Sequence, residues 1–411
     1  MNEYDSERMF NILSGVPGYC FAPSEKEADI IIVNTCSVRQ HAEDRALSYI
    51  GRYVNTKKVI VVGCMAENLK TQLFIKFPKL FAIIGTFNIS YIDRIIKKGG
   101  LYTGQNKNKY EKIPAIKKGI SGFLTIIQGC NNFCSYCIVP YVRGLERSRT
   151  VDDIVEELNI MIENGYKEVM LLGQNVNSYY DESSKTNFPK LLKKLVKIEG
   201  IERIRFITSH PKDLSDELIE TVASENKICK HFHLPVQSGS DNILKLMNRK
   251  YTTTLYQEKV SKIRQLIKDV AITTDILVGF PCENEKDFKD TIKLVETVKF
   301  DDAFVFKYSV RQGTEAAKLR DDVPEEEKLR RLNYILEIQK RISEDINKGL
   351  LGKTVEVLAL CRSSRNREEL KTTTGTNKKI YIQGKDEMIG KIHKVRITEI
   401  RSREGFGGEI I

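Results

Sequence analysis

From Phe123 to Phe306 the chain alternates short apolar, β-branched runs with longer amphipathic stretches, and few folds accommodate that alternation. The runs are 123 to 128, 168 to 172, 203 to 208, 231 to 235, 271 to 278 and 303 to 306. Near-continuous apolar character suits strands buried on both faces, and the intervening helices impose right-handed crossovers between parallel neighbours. Six such units predict a curved, partly closed parallel (β/α)6 barrel, shorter than the eight-unit form. Thr150, three residues before Asp153, is read as the cap of the first helix. Polar clusters follow the runs at 129 to 137, Gly173-Gln174-Asn175, Ser209-His210-Pro211, Gln237-Ser238-Gly239 and 279 to 283. They fall at the C-terminal strand ends, where β/α barrels carry their chemistry.

The first cluster is chemically the most specific. Cys130, Cys134 and Cys137 are spaced C-x3-C-x2-C in one loop, after the turn residue Gly129. Three thiolates are one ligand short of an iron-sulfur cube or a closed zinc tetrahedron. Either a fourth ligand comes from elsewhere, or one position stays open for a substrate or cofactor. Core packing accounts poorly for three cysteines in a polar, Asn-rich loop. A structural zinc site wants a second C-x2-C or an H-x3-5-H partner, and the sequence has neither. An iron-sulfur cluster with one open iron is the leading reading.

In the N-terminal part, residues 29 to 36 read as a buried parallel strand ending at Cys36, 37 to 54 as an amphipathic helix, and 58 to 63 as a second strand ending at Cys64. That spacing is close to one βαβ repeat, so a right-handed crossover sets both cysteines at one edge of a parallel sheet. It is the edge at which open α/β sheets bind ligands. Two unrelated buried cysteines are the alternative. A further helix and a short strand at Ile83-Ile84 follow. The Lys-, Asn- and Gly-rich stretch from Gly99 to Lys118 reads as an exposed linker whose five lysines from Lys107 onward are solvated or touch phosphate.

Beyond a helix running from Pro324 toward Lys348, residues 354 to 360, 379 to 383 and 392 to 400 alternate with the period of two, which predicts a small antiparallel barrel. Residues 347 to 411 hold 14 Lys+Arg and 8 Asp+Glu, more than half of the chain's net charge of +11. That balance favours a polyanionic partner such as RNA. The expected domains are 1–114, 115–346 and 347–411. Nine cysteines without a signal peptide point to reduced thiols in the cytoplasm, and no apolar run approaches the ~18 residues of a membrane span.

Specific stretches carry a resemblance: Asn34-Thr35-Cys36-Ser37-Val38-Arg39, Gly129 through Tyr141, Leu171 to Ser178, Phe206 to Pro211 and Phe306 to Ala317. On these residues nearly the whole chain resembles the methylthiotransferase family of radical S-adenosylmethionine (SAM) enzymes, in the branch that acts on tRNA. The resemblance implies a truncated doubly wound N-terminal methylthiotransferase domain, a radical SAM barrel and a C-terminal TRAM domain. It implies that Cys130, Cys134 and Cys137 hold a [4Fe-4S] cluster whose fourth iron takes SAM. Tyr136 would lie near the adenine, and Gly173, Gln174, Asn175, Gln237 and Gly279 would line the SAM pocket. Cys36 and Cys64 match two of the three ligands of a second [4Fe-4S] cluster.

The third ligand has no match. In relatives it belongs to a strand-end motif C-Q-M-N-E-Y-D-S, and this sequence starts with Met1-Asn2-Glu3-Tyr4-Asp5-Ser6, inside that motif. The expectation is a start codon further upstream, restoring a central first strand whose loss would leave unpaired backbone on both neighbours. Cys20 lies in a loop leading away from the strand ends and is a poor substitute. Cys282 stands where relatives carry Gly and reads as a loop substitution, and Cys229 and Cys361 carry no motif. The implied activity is methylthiolation at C2 of N6-dimethylallyladenosine, position 37, beside the tRNA anticodon. Alternatives are N6-threonylcarbamoyladenosine as substrate, or a non-catalytic iron-sulfur RNA-binding protein. Implied partners are the tRNA anticodon loop and an electron donor of flavodoxin or ferredoxin type, with no membrane and a monomeric chain. Arg143, Arg147 and Arg149 are either RNA contacts or partners of acids such as Glu146.

Overall fold

The computed structural model describes residues 1–37, 40–104, 119–401 and 405–411. Val38 and Arg39, the lysines of 107–118 and the expected boundary at 114–115 lie outside the described residues. The chain forms two compact units: Met1–Lys117 with Ile127–Arg149 and Arg311–Thr314, and Lys118–Ile126 with Thr150–Val310 and Glu315–Ile411.

The first unit opens with helix α1 (Asn2–Ser14), which the sequence pattern did not predict. Then come β1 (Ile30–Thr35), α2 (Gln40–Tyr53), β2 (Lys58–Gly63), α3 (Cys64–Leu69), α4 (Thr71–Lys76), β3 (Ala82–Ile84), α5 (Ile92–Lys98) and β4 (Gly100–Tyr102). The strands pair in parallel in the order β1-β2-β3-β4. Successive side chains of β2 point to opposite faces. Val59 and Val61 pack with Ile50, Val54, Met65 and Leu73 of α2 to α4. Ile60 and Val62 pack with Met9, Leu13, Ile92, Ile95 and Ile96 of α1 and α5. Each of these side chains, removed from water, contributes roughly 1.5 to 3 kcal/mol. Among the described residues the expected row of unpaired backbone does not lie between β1 and β2, which pair directly from Ile30↔Lys58 to Thr35↔Gly63.

Strand β5 (Ser121–Thr125) belongs to the second unit, after which β6 (Ile127–Gln128), α6 (Val139–Arg143) and β7 (Arg147–Ser148) belong to the first. The predicted run 123 to 128 is therefore divided, since Ile127 and Gln128 form an antiparallel pair with β7.

The second unit continues with α7 (Val151–Glu163), β8 (Glu168–Leu172), a small hairpin of β9 (Tyr180–Asp181) and β10 (Thr186–Asn187), α8 (Phe188–Leu195), β11 (Arg203–Phe206) and α9 (Asp216–Ser224). It goes on through β12 (His231–His233), α10 (Asp241–Leu246), α11 (Thr253–Leu266), β13 (Ala271–Val278), α12 (Glu285–Val298) and β14 (Asp302–Lys307). Thr150 caps α7, its hydroxyl accepting from Asp153 N at 3.2 Å. The parallel sheets β5-β8-β11 and β12-β13-β14 are joined by an Ile204–Ile228 bridge and by Cys229 N donating to Ile204 O at 3.0 Å. Six parallel strands thus follow in sequence order, and among the described residues nothing pairs β14 with β5. This is the partial barrel expected from the alternation.

Helix α13 (Glu325–Lys348) starts after Pro324 with three glutamates in its first turn, where the helix dipole favours negative charge. A closed barrel follows, of β15 (Thr354–Arg362), β16 (Glu369–Thr374), β17 (Lys379–Gln383), β18 (Ile392–Ile400) and β19 (Phe406–Ile410), in the order β15-β16-β17-β19-β18. It has two strands more than the sequence pattern marked, and β17 pairs with β19 in parallel rather than antiparallel. Val357, Leu370, Ile380, Val395 and Phe406 fill its core. Strand β11 is bonded to this barrel through its arginines. Arg203 donates to Thr373 O at 2.6 Å and Glu356 O at 3.1 Å, and Arg205 donates to Thr374 O at 2.5 Å.

Candidate functional site

In the first unit, the three-cysteine loop is fixed at its root by Gly129. This residue has φ +76°, and a Cβ there would stand 2.1 Å from Leu145 O, so only glycine fits. Cys130 N donates to Gly144 O at 3.1 Å and Glu146 N to Asn131 Oδ1 at 3.0 Å, tying the two ends of the loop together. Cys137 N donates to Cys134 O at 2.9 Å, closing a turn between the last two thiols. Cys130 is buried, and burial pushes its thiol pKa up, with hydrogen bonds from the Asn132 backbone and side chain pulling the other way. Tyr136 is half-buried within the loop. The loop leads into α6, whose Ile138 flank and Val142 pack on Cys64.

Cys36 and Cys64 each follow one of the register partners Thr35 and Gly63, so both stand at the same sheet edge, as the βαβ spacing predicted. Burial raises the Cys64 pKa, and the nearby Arg143 guanidinium lowers it. Arg143 is buried, donates to Asp5 Oδ2 at 2.6 Å and also to the Cys64 sulfur. It is therefore not a free RNA contact. Arg149 is buried as well, and Arg147 is exposed with its guanidinium 5.5 Å from the Phe87 ring centre. Cys20, Cys282 and Cys361 are exposed. Among the described residues no three His, Cys, Asp or Glu side chains are drawn together closely enough to hold a metal ion.

In the second unit, the loops after β8 and β11 are bonded to one another. Val176 N donates to Thr208 O at 3.0 Å, and Asn175 accepts from His210 N at 3.1 Å while donating to Asp213 at 2.7 Å. Gly173 is buried directly after β8. After β12, Gln237 is held at φ +67° by its N–H to Asp275 O and by Leu277 N to its own carbonyl, both 2.8 Å. Gly279, after β13, has φ +68°; a Cβ there would meet Lys328 Cγ at 2.4 Å, so this glycine is required by packing against α13. Its N–H donates at 2.6 Å to Glu283, which is paired with Arg331.

Several atoms at these strand ends are buried without a partner among the described residues: Gln174 Oε1, both amide atoms of Asn177, Ser209 Oγ, His210 Nε2 and Tyr308 OH. Of these residues, sequence reasoning assigned a ligand role to Gln174 alone. Ser209 and His210 were marked only as a polar cluster, and the absence of partners leaves no trace in a sequence.

The model for the Radical SAM superfamily matches residues 124–295, and that for Uncharacterized protein family UPF0004 matches residues 1–85. A Thermodesulfovibrio yellowstonii protein named tRNA-2-methylthio-N(6)-dimethylallyladenosine synthase is 47% identical over 422 residues, spanning 100% of this chain and 96% of its own length. A Carboxydothermus hydrogenoformans protein of the same name is 45% identical over 416 residues, spanning 97% and 94%. The chain belongs to the tRNA-2-methylthio-N(6)-dimethylallyladenosine synthase family. It is an enzyme of the radical SAM methylthiotransferase type. A radical SAM methyltransferase from Kitasatospora setae, TsrM, shares the fold at 13% identity and a TM-score of 0.51, covering 71% of this chain and 65% of that one.

A synthase of this family needs a [4Fe-4S] cluster and SAM. The loop's donor set fits the cluster: three soft thiolates within eight residues, Asn132 donating to one of them, and no fourth thiol. The pair Cys36 and Cys64 does not complete a second such set. The described residues bring two thiols to the edge, and a buried Arg143–Asp5 pair adjoins one of them.

Proposed function

We propose that this synthase-family chain attaches a methylthio group to C2 of N6-dimethylallyladenosine at position 37 of tRNA. The reading is carried by full-length identities of 47% and 45% to proteins of that name, together with the three-thiolate loop. Cys130, Cys134 and Cys137 would hold the cluster, which with SAM supplies one-electron chemistry and a 5′-deoxyadenosyl radical. Tyr136, Gly173, Gln174, Asn175, Gln237 and Gly279 would orient SAM. Asn175 and Gly279 act through the loops they brace, since Asn175 bonds His210 and Asp213 and Gly279 bonds Glu283. Cys36 and Cys64 would be two ligands of a second cluster.

The working domains are 1–114, 115–346 and 347–411. The last, a TRAM-type barrel with a surplus of basic residues, would hold the phosphates of the anticodon loop while the target base is unstacked. A cytoplasmic monomer served by a flavodoxin- or ferredoxin-type donor completes the reading. No helix among the described residues is long and apolar enough to cross a membrane.

The test is anaerobic reconstitution with iron and sulfide, followed by reduction with SAM and tRNA. The wild type should release 5′-deoxyadenosine and Cys130→Ala should release none, a loss beyond about a thousandfold. Nucleoside mass spectrometry of tRNA from a deletion strain should then lack the methylthio-dimethylallyl nucleoside. Loss of the methylthio-threonylcarbamoyl nucleoside instead would reassign the substrate.

A further inference from the structure

Five buried atoms on the loops after β8 and β11 have no hydrogen-bond partner among the described residues: Gln174 Oε1, Asn177 Nδ2 and Oδ1, Ser209 Oγ and His210 Nε2. The two loops are bonded to one another through Val176 N to Thr208 O and His210 N to Asn175 Oδ1. Leaving a buried polar group unpaired is costly, so such a concentration marks a place where a ligand with matching groups is accommodated. The backbone here is also held away from its relaxed form, with β-branched Thr208 at φ +72°.

The atoms on offer define the chemistry. His210 Nδ1 accepts from Lys212 N at 3.3 Å, which puts the ring proton on Nε2. The ring is 5% exposed and meets the edge of Tyr251 at 5.6 Å. Burial first, then the charges of Arg249, Lys212 and Lys250, hold it neutral down to a pKa of about 2. His210 therefore presents an uncharged N–H donor. Asn177 adds an amide donor and acceptor, Ser209 a hydroxyl and Gln174 a carbonyl oxygen. None of the five atoms carries charge. An anionic ligand would be better met by the cations that surround the ring. A neutral donor and acceptor set matches the edge of a purine, where amides pair with adenine N6 and N7 and an N–H donates to a ring nitrogen.

We propose that His210, Asn177, Ser209 and Gln174 form an adenine-reading site, with His210 Nε2–H its central donor. The proposal rests on the reading of the chain as a SAM-dependent enzyme acting on a tRNA adenosine. That reading supplies two adenines, one in SAM and one in the target nucleoside.

The test uses the full-length, iron-loaded protein and two substitutions. His210→Phe keeps a ring and removes the donor, whereas His210→Gln keeps a donor. The KM for SAM in 5′-deoxyadenosine release and the KM for tRNA in methylthiolation are measured, with iron content and thermal unfolding as controls. His210→Phe should raise one KM by roughly 10- to 100-fold at little-changed kcat, as expected for a lost base contact, and His210→Gln should recover most of it. Asn177→Leu should move the same KM. A rise confined to SAM assigns the site to SAM's adenine, and one confined to tRNA assigns it to the target base. Both KM values unchanged in a folded, iron-loaded His210→Phe protein would overturn the site. If that variant does not fold, Ser209→Ala, which removes one hydroxyl, carries the same test. Equilibrium binding of adenosine and of S-adenosylhomocysteine needs no turnover. Unchanged Kd for both ligands in the variants would refute the site, while an inactive wild type whose variants lose binding would count against the reading beneath it.

Discussion

At their N-terminal ends, β8 and β11 carry Glu168, Arg203 and Arg205, all buried and all answered. Glu168 accepts from Ser121 at 2.9 Å and Arg205 at 2.7 Å, and both arginines donate to carbonyls of β15 and β16. At the C-terminal ends of the same strands, Ser209 and His210 are buried and Gln174 and Asn177 half-buried, each with a buried atom that no group among the described residues answers. Of the non-glycine residues in the left-handed region, β-branched Thr208, Gln237 and Cys282 lie on that side at φ +72°, +67° and +70°, and Asp269 and Lys299 lie on the other at +55° and +52°. One edge of the sheet holds the second unit together, and the other keeps polar capacity and backbone strain for a ligand.

Arg205→Leu is the most severe way to probe this contrast. It leaves Glu168, 4% exposed in its side chain, as an uncompensated buried charge. Urea unfolding should register a loss of about 3 to 5 kcal/mol, with the KM values of surviving folded protein unchanged. A variant as stable as wild type would erase the distinction between the edges.

Acidification should produce the next largest effect. Burial depresses His210 to about 2 at the C-terminal edge and His231 to about 3 at the N-terminal edge. A histidine with a lowered folded pKa binds its proton in the unfolded chain first. Its stability contribution is therefore intact above pH ~6.5 and lost as pH falls toward the folded value, by about 2 kcal/mol per residue between pH 7 and 5. His210→Gln should flatten the fall in urea midpoint over that window by one residue's share. His231 already has a partner, Thr273 Oγ1 at 2.9 Å, so only His210 should have its acid sensitivity altered by adenosine.

The smallest effect is expected at Cys282. It occupies a conformation that glycine adopts without penalty, so Cys282→Gly should raise stability by about 0.5 to 1 kcal/mol with activity unchanged, as measured by thermal unfolding. A loss would mean that the Cys282 side chain contributes more than its backbone costs.

The fold was legible wherever burial wrote a pattern into residue type. Strands β2, β8, β13, β17 and β18 were bounded to the residue because they are apolar on both faces or alternate cleanly. Strand β16, Glu369–Thr374, escaped notice because buried Thr372, Thr373 and Thr374 look polar in sequence, although Thr372 bonds Ile380 O inside the barrel. Strand β19 was hidden by Gly407 and Gly408, which weaken any strand signal. The shared sheet edge of Cys36 and Cys64 was legible from their spacing. Arg143 was not, because its acid, Asp5, lies 138 positions away. No residue pattern reports which buried atoms have been left without partners.

The divided course of the chain also sets a timetable. Cys64 is covered by Ile138 and Val142, and Glu43 is met by Arg311 at 2.9 Å, so the first unit draws on residues made long after its sheet. At ~5 to 20 residues per second, the ribosome delivers Arg311 roughly ten to forty seconds after Lys117. Ile138 and Val142 follow Lys117 within roughly one to five seconds, so the cysteine edge of the nascent sheet is covered early while Glu43 waits for Arg311, and a protein cut at the end of β4 would keep that edge uncovered permanently.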